Sequence, residues 1–88
     1  MSTIINGIEF IGVNNDVNGN PRYLVHFLRF IKESESELPI SEKWNIANRR
    51  AKKVGFKIYQ GKQYGGMYVG TSYDLRETAN EIKNMRKI

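Results

Sequence analysis

A chain of 88 residues is one domain's worth, and folding buries only about 60 to 65% of the surface that its unfolded form exposes, so a single domain is expected. With 40% hydrophobic and 26% charged residues it has the apolar content of a folding chain, and with no cysteine and one histidine its core must serve without disulfides or a structural zinc site. The formal net charge of +5 is lopsided: residues 1–40 carry three basic and five acidic side chains, residues 41–88 eleven and four.

Thr3 to Val13 predicts a first strand, with Ile4, Ile8 and Phe10 on one side together with Asn6, and Glu9 opposite. Asn14 to Pro21 concentrates turn formers; Asn18-Gly19 suits positive φ and Pro21 cannot donate in a ladder, which predicts a hairpin. Its second arm, Arg22 to Ile31, is apolar on both faces, with Tyr23, Val25, Phe27 and Ile31 on one and Leu24, Leu28 and Phe30 on the other. That pattern is a central strand's.

Lys32 to Glu37 reads as a polar acidic linker, its glutamates solubilising. A helix then starts near Pro39 or Ser41, with Ile40, Trp44, Ala47, Ala51 and Val54 as a narrow apolar stripe, Trp44 as its anchor, and Gly55 as its stop. Ile46 points away from that stripe and has no assigned neighbour. Phe56 to Gln60 and Met67 to Tyr73 alternate as a second hairpin across residues 61–66, with Lys57 and Tyr59 opposite Phe56 and Ile58. Asp74 to Glu77 has capping-box spacing, and Leu75, Ala79, Ile82 and Met85 or Arg86 form one face of a last helix. The expected fold is α+β, one domain over residues 1–88: a ββαββα chain forming a four-stranded, mainly antiparallel sheet, with two helices on one face and the other face partly open.

Asn18-Gly19-Asn20-Pro21-Arg22-Tyr23, Gly61-Lys62 with Tyr64-Gly65-Gly66, and Ser72-Tyr73-Asp74-Leu75 resemble patterns in uncharacterised small proteins of phages, plasmids and other mobile elements. The resemblance spans most of the chain. It implies a bacterial or phage cytosolic setting and assigns no activity or functional residue.

Catalytic signals are sparse. His26 lies within a predicted strand, where a satisfied structural histidine is the commoner role than a general base. Gly55 to Gln63 departs from a phosphate-binding loop in spacing, in the Gln63 that replaces the magnesium-binding hydroxyl, and in leaving a helix rather than entering one. A non-enzyme is expected, with no cofactor and no metal. The start lacks a signal-peptide pattern, and Tyr23 to Ile31 is too short and too interrupted by charge to span a bilayer, so a cytoplasmic protein without membrane association is expected.

Six cations, Arg49, Arg50, Lys52, Lys53, Lys57 and Lys62, follow one another with no acid between them, interleaved or flanked by Tyr59, Tyr64 and Tyr68. Cations neutralise phosphates and aromatic rings stack on unpaired bases, so these nine residues are the expected contacts of a DNA- or RNA-binding accessory protein. A protein-binding module acting on a host or partner protein is the alternative. An anionic membrane surface fits less well, since neither helix joins a wide apolar face to a strongly basic one.

Overall fold

In the computed structural model, which describes residues 2–59 and 67–87, the chain forms five strands and two α-helices. The strands are β1 (Ser2–Ile5), β2 (Ile8–Val13), β3 (Arg22–His26), β4 (Lys57–Tyr59) and β5 (Met67–Thr71); the helices are α1 (Ile40–Lys53) and α2 (Leu75–Met85). All neighbours pair antiparallel in the order β1-β2-β3-β5-β4. The class is the expected α+β with both helices on one face, but the sheet has five strands rather than four.

The extra strand arises at Asn6-Gly7. Both residues take positive φ, 54° and 79°, the handedness that lets a two-residue turn follow the twist of a hairpin. The segment expected as one strand from Thr3 to Val13 therefore folds back on itself, with Ile5 opposite Ile8 and Ser2 opposite Ile11. The loop between β2 and β3 is held by Asp16, whose carboxylate accepts from the Asn18 and Asn20 backbone N–H groups at 2.9 and 2.8 Å while Gly19 supplies positive φ.

β3 is central, paired with β2 on one edge and β5 on the other. It ends at His26, however, five residues short of the expected strand end. Phe27–Phe30 is a 3₁₀ turn, capped by His26 Nδ1, which accepts from the Leu28 N–H at 3.3 Å. With about three residues per 3₁₀ turn, Phe27 and Phe30 fall on the same side and both enter the core, whereas strand alternation would have separated them.

α1 starts after Pro39 at its N-cap and ends in a Schellman arrangement: Gly55 has φ 85°, its N–H donates to the Lys52 carbonyl, and the Phe56 N–H donates to the Ala51 carbonyl. α2 is capped by Asp74, whose side chain accepts from the N–H groups of Arg76 and Glu77, both at 3.1 Å. Between sheet and helices lies one core containing Ile8, Phe10, Tyr23, Val25, Phe27, Phe30, Phe56, Tyr68 and the inward side chains Ala47, Ala51, Ala79 and Ile82. Edge-to-face ring contacts run through it from Phe10 to Tyr23 to Phe56 to Phe30 to Tyr68. Ile46, the misfit on the helical stripe, packs half-buried at the margin of this core.

Candidate functional site

Register sorts the expected contact residues by face. The row Ser2, Ile11, Leu24, Val69, Lys57 runs across the sheet on one side, and the row Val25, Tyr68, Ile58 on the other. Val25 and Tyr68 belong to the core beneath the helices, so Lys57 and Tyr59 lie on the far face, whose centre is the fully buried Leu24 between half-buried Ile11 and Val69.

Tyr68 is not available to stack on bases. It is 1% exposed, stacks on Trp44 with ring centroids 5.5 Å apart, and donates its hydroxyl proton to Asn48 Oδ1. Burial pushes its phenol well above the ordinary range. Arg50 is also inside, at 3% exposure. Its guanidinium makes a two-pronged pair with Glu35 at 2.7 and 2.9 Å and donates to the Phe30 carbonyl at 2.6 Å. Glu35, expected to be solubilising, instead fixes the segment after the 3₁₀ turn to α1; its Oε1 also accepts from the Lys32 N–H. Hydrogen bonds from Arg50 hold its carboxyl below the usual range.

Arg49, Lys52 and Lys53 are exposed and fall on one arc of α1, away from the sheet. Lys57 and Tyr59 occupy the opposite layer, while Lys62 and Tyr64 lie outside the described residues. The described members of the expected nucleic-acid set thus divide between a helix surface, a sheet surface and the interior. They form no single platform.

What the structure does gather is an apolar groove between the 3₁₀ turn and the start of α1, lined by His26, Phe27, Leu28, Ile40, Ser41, Lys43 and Trp44, with a volume of about 640 Å³. Ile40 is 72% and Leu28 45% exposed, large fractions for residues of their size standing together. The floor is aromatic: Phe27 packs edge-on against Trp44, and Trp44 lies on Tyr68. His26 caps the 3₁₀ turn through Nδ1 and is, with Lys43, one of two titratable residues in the described lining; burial, and then the nearby Arg29 charge, lower its pKa, favouring neutral imidazole. Sequence reading missed this site because Leu28 was assigned to a strand's buried face and Ile40 to the helix's inner stripe. Only the 3₁₀ turn after His26 brings Leu28 out beside α1.

These features define a small antiparallel α+β domain with an open apolar groove. Among the described residues no helix is long and apolar enough to cross a membrane. The family model for the Staphylococcus phage terminal repeat-encoded protein TreK matches residues 2–87, and the chain belongs to that family. Of the phage, plasmid and mobile-element proteins that the sequence resembles, a phage family is the one shown. No curated protein and no solved structure matches the chain.

Proposed function

We propose that this phage protein is a non-catalytic protein-binding module that works in the cytoplasm and takes a segment of a partner protein into the groove between the 3₁₀ turn and α1. The observation that carries this reading is the co-location of exposed Leu28 and Ile40 over a preformed aromatic floor. Water-exposed apolar walls on such a floor favour burial of a partner's side chains, and the aromatic packing limits the entropy lost on binding. Phage origin agrees with the sequence-based alternative of a module acting on a host or partner protein.

Selection of short peptides from a displayed random library against the whole chain tests it. Peptides retained by the native protein and lost on Leu28→Asp or Ile40→Asp, with circular dichroism unchanged, support groove docking. Recovery only of peptides indifferent to both substitutions rejects it.

DNA or RNA binding is a second reading, favoured by the exposed arc of Arg49, Lys52 and Lys53. Three phosphate contacts would give a slope of log affinity against log salt of about −2 to −3, and Arg49→Glu with Lys53→Glu should weaken binding to all sequences alike. Absence of binding at low salt by the folded protein removes this reading.

A further inference from the structure

The groove has an electrostatic sign as well as an apolar surface. Its described lining contains one ionised side chain, Lys43, and no carboxylate. Glu42 precedes Lys43 on α1 but is exposed outside the lining. α1 also begins at this wall, with Ile40 and Ser41 as its first residues, and Pro39 supplies no side-chain acceptor to its first N–H groups. The positive end of the helix therefore opens beside the apolar walls.

On the other wall, Leu28 is followed by exposed Arg29. Arg86, at the end of α2, is tied to the same turn, its Nε–H donating to the Arg29 carbonyl. Burial lowers the Arg86 pKa, and the Arg29 charge adds to that effect. Among the described residues the one ion pair is Arg50 with Glu35, so neither guanidinium has a salt-bridging carboxylate there. Arg29 thus stands next to a lining residue on the 3₁₀ turn, with Arg86 joined to its backbone, while Lys43 lines the wall formed by α1.

We propose that the occupant of the groove is an acidic-apolar segment of a partner protein, its apolar side chains seated against Leu28, Ile40 and Trp44 and its flanking Asp or Glu residues meeting Arg29, which follows Leu28, and Lys43 beside the α1 N-terminus. This rests on the groove being a protein-docking site. A nucleic acid would supply the negative charge but not the aliphatic anchors that the exposed Leu28 and Ile40 call for. A basic or neutral segment would leave the rim cations repelled or unused.

The same library selection tests the occupant's chemistry. Groove-dependent peptides should be rich in Asp and Glu next to Leu, Ile, Phe or Trp, and a synthetic copy of the strongest should bind the whole chain with an affinity that falls at least about tenfold in Arg29→Glu with Lys43→Glu, and falls with added salt. Replacing its acidic residues by Lys should abolish binding, while Arg49→Glu leaves it unchanged. Groove-dependent peptides with no acidic excess, or bound equally by the double variant, overturn the charge proposal and leave the docking reading standing; absence of any groove-dependent peptide overturns both. Concentration-dependent self-association in sedimentation that Leu28→Asp abolishes would make a second copy the occupant, and displacement of the peptide by an oligonucleotide sparing Leu28→Asp would make it nucleic acid; either result overturns the proposal.

Discussion

Arg50 sits at 3% exposure with its charge matched by Glu35 and the Phe30 carbonyl, so its contribution depends on keeping all three groups together. Removing one partner of a buried pair leaves the other charge uncompensated, and Arg50→Ala should destabilise by about 3 to 5 kcal/mol in denaturant unfolding. Glu35→Gln separates the charge from the packing. Because the folded state lowers the Glu35 pKa below its ordinary value of 4.5, its share of stability is present above that value and is lost as pH falls through the lower folded value. The Gln variant should accordingly lose stability at neutral pH and show a flatter acid limb than the native protein. A steeper limb would contradict the pairing. Gly70 makes a second residue-scale point: a Cβ there would lie 2.8 Å from Phe56 Cε1 and 3.2 Å from Tyr23 Cε2. Gly70→Ala should cost about 1 to 3 kcal/mol by forcing those rings apart.

At the scale of elements, local chemistry sets the ends more reliably than hydrophobic pattern does. Asp74 caps α2 where its spacing indicated, and Asp74→Ala should lower stability by about 1 kcal/mol, read as a fall in the urea midpoint at unchanged slope. Gly55 closes α1 as expected, because the left-handed residue lets two carbonyls of the last turn be satisfied. Asn6-Gly7 carried the same kind of signal but was outweighed by the apolar residues around it, and two strands were merged into one. Gly7→Ala, with φ at 79°, should destabilise by about 1 kcal/mol or more through that hairpin. Likewise the run from Tyr23 to Ile31 reads as a strand throughout, and the His26 cap that turns it after five paired residues has no recognisable signature in an aromatic-rich segment.

Across the whole molecule, the sheet separates surfaces that the linear sequence places together. Lys53 and Lys57 are four residues apart in the chain, yet Gly55 intervenes, and one belongs to the helical layer and the other to the far face of the sheet. The groove shows the converse, since Leu28 and Ile40 are separated by an acidic connection and meet only in the fold. Leu28→Asp and Ile40→Asp should each change folding stability by no more than about 0.5 kcal/mol, since both side chains are substantially exposed, while abolishing peptide docking. Thermal unfolding and fluorescence-anisotropy titration of the same samples check both halves. A large loss of stability would instead show that these side chains are held for packing.

The sequence by itself determined the α+β class, two amphipathic helices with the Gly55 stop of the first and the Asp74 cap of the second, the turn at Asn18-Gly19 and the central place of the segment beginning at Arg22, because each follows from local propensity and short-range periodicity. A resemblance to small proteins of phages and other mobile elements was also legible in it, which the phage family match bears out. Only the tertiary structure decided which cations reach solvent, that Tyr68 and Arg50 belong to the interior, and that Leu28 and Ile40 line the same groove. The physical reason is that a side chain's exposure depends on what packs against it from distant parts of the chain. A carboxylate fifteen residues away drew Arg50 inward, and a single 3₁₀ turn carried Leu28 out.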